Sequence, residues 1–217
     1  MADIFHEVDE EVRRERLQRF WERYSVYIVG AAILIVAAIG GWRGYEWYVG
    51  KQAAAAGVEF EQAVRLAEQG KTADAENAFA KIAAQAPTGY RILARFRAAA
   101  ELAKSKPEEG AKAYAALAAD ASLGSTLQDL ATVRSAMLRV DKAPLADMQK
   151  DLAPLTEPGR PFRHSARELL ALSAWHHHDV ATARKYIEMI ANDGESPPLM
   201  RSRVEMLSAL IAAESKS

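Results

Sequence analysis

The sequence predicts an all-α chain: a single transmembrane helix near the N-terminus, followed by a solenoid of helical hairpins. Three observations carry this. Residues 25–42 form an uncharged apolar run edged by aromatic residues. The rest is rich in alanine and other good helix formers. Within it, small and large residues recur at i,i+4 with a period near 36, the mark of a repeated hairpin.

The leader, residues 1–24, reads as a charged helix. Asp9/Arg13, Glu10/Arg14 and Glu15/Arg19 are acid-before-base pairs at i,i+4, each worth a few tenths of a kcal/mol on an exposed helix. Phe5, Val8, Val12, Phe20, Trp21 and Tyr24 make a broken apolar stripe. That stripe fits an amphipathic segment on the inner membrane face, and the mixed charge fits a solvated extension of the next helix. The interleaved acids neutralise the arginines as a nucleic-acid patch.

The run at 25–42 rises roughly 27 Å as a helix, close to the thickness of a bilayer's hydrocarbon core. Trp21, Tyr24 and Tyr27 mark its entry, and Trp42, Tyr45, Trp47 and Tyr48 its exit, as rings that prefer the headgroup interface do. The transmembrane segment with its aromatic exit is 25–48. Arg13, Arg14, Arg16, Arg19 and Arg23 precede the run, against Arg43 and Lys51 just after it. The positive-inside rule therefore puts the N-terminus in the cytoplasm and residues 49–217 on the far side. A cleaved signal peptide fits poorly, because the apolar core starts late and exceeds the ~7–15 residues usual there. A buried core helix would need covering material that the leader lacks. Ala37 with Gly41, and Gly40 with Gly44, are small-xxx-small pairs that let helix backbones approach in lipid.

The chain is close to neutral, with 28 basic and 29 acidic residues and no cysteine. The balance argues against nucleic acid as a partner. No disulfide, thiolate nucleophile or cysteine-held metal is available. Roughly 165 residues follow the span, enough for one sizeable core.

Helices fall at 52–69, 72–86, 89–104, 107–120, 125–140, 145–153, 162–177, 180–192 and 198–214. Gly70-Lys71, Pro87-Thr88-Gly89, Lys106-Pro107, Gly124, Pro158 to Pro161, Asp193-Gly194 and Pro197-Pro198 punctuate them. Joined by tight turns, neighbours should pack antiparallel. Ala75-x-x-x-Phe79 is followed by Pro87; Gly110-x-x-x-Tyr114 lies 35 residues on, and Ala183-x-x-x-Ile187 lies 108 residues after Ala75. A degenerate copy falls around Met148 and Leu152. The small residue lets two helices approach, the large one fills the groove to the next hairpin, and a proline closes the unit. This matches the second half of a tetratricopeptide repeat, so the solenoid is expected to be tetratricopeptide-like. Phe79, Tyr114, Leu152 and Ile187 are assigned to core packing. The last helix, with Leu199, Val204, Leu207, Leu210 and Ile211, is expected to cap the stack.

At this point the chain resembles the bacterial single-pass tetratricopeptide-repeat proteins grouped with the ancillary subunit of the Sec translocon. The opening Asp3-Ile4-Phe5-His6-Glu7-Val8-Asp9-Glu10-Glu11-Val12-Arg13-Arg14-Glu15-Arg16, the run at 25–42 and the exit Trp42-Arg43-Gly44-Tyr45-Glu46-Trp47-Tyr48 resemble the alphaproteobacterial branch. Pro161-Phe162-Arg163 through Ala171-Leu172, then Ala181-x-Ala183-Arg184, resemble its C-terminal repeat. The resemblance implies an inner-membrane protein with a periplasmic domain, bound to the Sec translocon and passing exported chains to periplasmic chaperones. The same domain family includes a cell-division coordinator, so an envelope scaffold for division or membrane-complex assembly is the alternative. No catalytic residue, cofactor or metal comes with the family.

His176-His177-His178-Asp179 is the one metal-like cluster in the sequence. Adjacent helical residues point ~100° apart, so the trio cannot converge on one ion. The trio is instead expected to end one helix, with Asp179 capping the next. No Gly-x-Ser-x-Gly elbow and no phosphate-binding glycine loop occur, so neither an enzyme nor a small-molecule substrate is expected. Binding is what remains. The first helix of each hairpin lines the concave face of such a stack, which places Arg95, Asp129, Glu168 and Trp175 there as candidate partner-binding residues.

Overall fold

The computed structural model describes the backbone of residues 3–214 and the side chains of residues 20–214. The described residues form nine α-helices and no strand. The helices are α1 (Asp3–Glu68), α2 (Thr72–Gln85), α3 (Thr88–Ser105), α4 (Pro107–Ala118), α5 (Ser125–Met137), α6 (Leu145–Leu152), α7 (Arg163–His176), α8 (Val180–Ala191) and α9 (Pro198–Glu214). Short 3-10 turns at Ala121–Leu123 and Ala153–Leu155 follow α4 and α6. The residues group into two compact units, Met1–Ala54 and Ala55–Ser217.

In the first unit the apolar run is helical throughout. Val26, Tyr27, Ile33, Leu34, Val36, Ile39 and Trp42 are all exposed. Among the described residues this is the one helix long and apolar enough to cross a membrane, and none of its apolar window is buried in protein. The run is therefore not buried in a core of this chain's described residues, and it is compatible with a single-pass anchor. An apolar surface of this extent marks a lipid or protein contact. At the exit, the Lys51 ammonium lies 5.3 Å over the Trp47 ring and Arg43 pairs with Glu46 at 3.5 Å. The stripe at Phe5, Val8 and Val12 lies outside the described side chains.

The helix expected at 52–69 is not separate: α1 runs on to Glu68. The Ala53–Ala56 tract favours helix strongly, and isolated glycines such as Gly50 and Gly57 cost only ~1 kcal/mol each. Gly70, at φ +74°, ends the helix. Lys71 N–H bonds to Leu66 O at 3.0 Å and Gly70 N–H to Ala67 O at 3.1 Å, the pattern of a left-handed C-cap. α4 and α5 stop short of the expected ends at 120 and 140, because Asp120 starts a 3-10 turn by accepting from Ser122 N–H at 3.0 Å and Leu138 leads into a turn.

The second unit buries three clusters in chain order. Phe60, Ala63 and Val64 pack on Ala75, Phe79, Ile82 and Ala94, with the Phe60 ring edge-on to Phe79 at 5.3 Å. Ala99, Tyr114, Leu117, Leu123 and Ala131 follow. The third and largest cluster joins α5 through α9 around Met148, Leu152, Leu170, Ile190 and Ile211. Each small/large pair read from the sequence is buried, Ala75/Phe79, Gly110/Tyr114 and Ala183/Ile187, and so is the degenerate copy at Met148 and Leu152. A Cβ built on Gly110 would stand 2.5 Å from the Ala103 Cβ and 2.6 Å from its Cα, so only glycine permits this approach. The cap helix departs from expectation on one side. Val204, Leu207 and Ile211 are buried, but Leu199 and Leu210 are exposed together with Met206.

Candidate functional site

Successive helices pack in series, so first helices (α3, α5, α7) and second helices (α2, α4, α6, α8) form opposite faces of the stack. Recesses open on each. Between the first helices α3 and α5, Ala100, Ala103, Lys104, Tyr114, Arg134, Met137 and Leu138 line a recess of about 260 Å³. On the opposite face, Glu76 of α2, Arg95 and Leu102 of α3 and Leu117 of α4 border one of about 380 Å³. Another, of about 360 Å³, lies between α4 and α6 over Ser135 and Arg139.

Each of the four residues singled out for the concave face has an intramolecular partner. Arg95 borders the recess between α2 and α4 and donates to Asp120 at 2.7 Å. Hydrogen bonds from Ser122 and then Arg95 lower the Asp120 pKa to about 2. Asp129 is buried and accepts from Arg160 at 2.7 Å. Glu168 takes a two-point contact from Arg203 of α9, at 2.6 and 2.8 Å, which raises the Arg203 pKa. The Trp175 indole N–H donates to Glu214 at 2.8 Å. The four are spread along the stack, on α3, α5 and α7. Ala37, Gly40, Gly41 and Gly44 all lie on exposed helix, and a Cβ on any of those glycines would meet nothing within 4 Å.

A family model described as the tetratricopeptide repeat-like domain matches residues 18–170. The chain belongs to that family. The match takes in the whole apolar run and ends within α7, so α8 and α9 lie beyond it. No curated protein and no solved structure matches the chain. Tetratricopeptide repeat-like domains are typically non-catalytic protein-interaction modules.

Two features of this repeat-like domain were not read from the sequence. The lining of the recess between α3 and α5 was missed because Ala100 and Lys104, not Arg95, border it on α3. Two helical positions differ by ~200°, so the frame of one helix decides the face. The stripe Leu93, Arg97, Ala100, Lys104 at i,i+4,i+7,i+11, exposed except at half-buried Ala100, was the available signal. The second feature is a clamp before α9. Asp193 accepts from Arg163 at 3.0 Å and Arg167 at 2.8 Å and lies 3.0 Å from His164 Nε2. The Arg163 bonds, then the backbone N–H of Glu195, hold its carboxyl far below the usual range. Arg163 also meets Glu195.

The histidine trio serves the chain turn. His176 Nδ1 lies 3.4 Å from Asp141, and His177 Nδ1 lies 2.8 Å from Ser173 O. His178, at φ +58°, takes the left-handed cap position that Gly70 takes after α1. Asp179 then caps α8 by accepting from Thr182 N–H at 3.0 Å, and that backbone bond lowers its pKa.

Proposed function

We propose that this protein is a membrane-anchored adaptor at the Sec translocon, whose repeat domain links exported chains to periplasmic chaperones. In this reading residues 1–24 are the cytoplasmic leader, 25–48 the transmembrane helix of the bacterial inner membrane and 49–217 the periplasmic domain. The observation that carries it is the joining, in one chain, of an uncovered apolar helix to a tetratricopeptide repeat-like domain within a single family match. The resemblance of the opening at residues 3–16, the exit at 42–48 and the C-terminal repeat supplies the translocon and the chaperones. The arginine excess before the run supports a cytoplasmic N-terminus. Tethering raises the domain's effective concentration at the exit site, so weak contacts suffice for capture. Ala37, Gly40, Gly41 and Gly44 are the proposed seam for a neighbouring membrane helix.

Affinity purification of the full-length protein from membranes in mild detergent, with mass spectrometry of the eluate, tests this. Translocon subunits and periplasmic chaperones are the expected partners. Division or membrane-complex assembly proteins without the translocon would replace the adaptor with an envelope scaffold. A reporter fused after Ser217 should be active only outside the cytoplasm; activity inside it would overturn the topology.

A further inference from the structure

The recess between α3 and α5 combines a cavity, exposed apolar surface and two exposed cations without acids of their own, Arg134 on its lining and Arg97 beside it. Tyr114 lies at its base, buried, with its hydroxyl donating to Phe96 O at 3.3 Å. Met137 and Leu93 on the adjoining stripes are each about half exposed. Arg134 is exposed and lines the recess; Arg97, also exposed, stands one turn before the lining residue Ala100 on α3 and next to Phe96, whose carbonyl holds the Tyr114 hydroxyl. Both cations oppose the rise that burial gives the Tyr114 pKa. Neither makes an ion pair or hydrogen bond among the described residues. Lys104 differs: its ammonium bonds both oxygens of the buried Glu101 carboxylate, at 2.9 and 2.7 Å. On the opposite face each recess arginine has an acid, Asp120 for Arg95 and Asp151 for Arg139.

The recess is smaller than the ~300–1,000 Å³ pockets that enclose drug-sized ligands. It is sized for one or two side chains of a longer ligand. Nucleic acid fits badly, since single strands stack on open aromatic faces and the Tyr114 ring is buried.

We propose that the recess between α3 and α5 binds an extended peptide segment in which a carboxylate side chain adjoins a large apolar one. The carboxylate bridges Arg97 and Arg134, where charge-assisted bonds are strongest. The apolar side chain lies against Met137, Leu138 and the Tyr114 ring edge. This rests on the interaction-module reading and adds the chemistry of its ligand.

The test is fluorescence anisotropy with full-length protein in lipid nanodiscs, empty discs subtracted. The probe is a labelled decapeptide alternating Glu and Leu in a Gly/Ser frame, compared with Lys-for-Glu and Ala-for-Leu versions. Saturable binding of the Glu/Leu probe is expected, weakened fivefold or more in each comparison peptide. Arg97→Glu and Arg134→Glu should each weaken it about tenfold, and Arg134→Lys by less, with helicity unchanged. Arg184→Glu on the exposed side of α8 should leave it unaltered. Equal binding of the Lys version, or indifference to Arg134→Glu, overturns the proposal. So does self-association by sedimentation that Arg134→Glu abolishes, which would make a second copy the occupant. If the Arg97→Glu/Arg134→Glu pair retains every co-purified partner while the probe fails to bind wild type, the recess is wrong and the adaptor stands. If the probe binds as expected while no translocon subunit or chaperone co-purifies, the adaptor falls and the recess stands.

Discussion

From the end of α1 to α4 the interior is closed mainly by alanine; from α6 to α9 it is closed by leucine, isoleucine and methionine. In the first region Ala63, Ala75, Ala94, Ala99 and Ala111 are buried around a few large side chains, Phe79, Ile82, Tyr114 and Leu117. In the second, Met148, Leu152, Leu155, Leu169, Leu170, Ile187, Ile190, Met200, Val204, Leu207 and Ile211 form one cluster. The second region also holds the Asp193 clamp and the Glu168–Arg203 pair. Apolar burial stabilises by roughly 25 cal/mol per Å², so the leucine-rich region gains more per helix. Alanine loses no side-chain entropy on burial, which offsets part of the difference. In a stack whose repeats touch only their neighbours, such a difference stays local. The peptide recess lies toward the softer end, where opening costs least.

The largest expected effect comes from Phe79→Ala, which removes the central large side chain of the first cluster and should cost about 3–5 kcal/mol. Because that cluster has few others, we expect melting followed by circular dichroism to split into two steps, the earlier from the α2–α3 region. Leu170→Ala should cost about 2–5 kcal/mol and lower a single transition without splitting it. A single step for both variants would show that the regions are energetically one.

Gly110→Val comes next. Overpacking against Ala103 should cost about 1–3 kcal/mol, whereas Gly89→Ala, with open space around its Cβ, should stabilise α3 by about 0.5–1 kcal/mol. Chemical denaturation of the two variants side by side checks the contrast.

Asp193→Asn should lower the midpoint of the C-terminal transition and accelerate amide exchange in the α8–α9 turn, leaving α2 unchanged. The smallest effect is on pH. Asp120 has a folded pKa of about 2 against an ordinary value near ~3.9. A depressed carboxylate contributes stability that is full above the unfolded pKa and is lost as pH falls through the folded one. Asp120→Asn should therefore flatten the acid side of the stability curve between about pH 4 and pH 2; an unchanged slope would remove Asp120 from the account.

Most helix limits were legible because proline and glycine mark them locally: Pro87, Lys106-Pro107 and Pro197-Pro198 stand where helices begin. The pairs Ala75/Phe79 and Ala183/Ile187 were legible for the same reason, since i,i+4 spacing needs no knowledge of the partner helix. The Asp179 cap is likewise local. The continuity of α1 from residue 48 to residue 52 was not, because a helix end is announced by a breaker and this stretch has none strong enough. Nor were the contacts of Asp193 and Arg203, whose partners lie about thirty residues away. The face of Arg95 needed the rotation of α3, which packing sets. Leu199 and Leu210 carried the hydrophobic signal of a cap and remained exposed, since hydropathy does not tell which side of an end helix meets the stack.

The contact of Gly110 with Ala103 has a mechanical consequence. At the base of the α3–α4 hairpin the two backbones touch with no rotamers between them to rearrange. The hairpin therefore resists bending there, and compliance is concentrated at the junctions between hairpins. Pulling on the ends of the stack would change its curvature at those junctions first, the junction of α3 with α5 among them, altering the width of the recess while each hairpin keeps its shape.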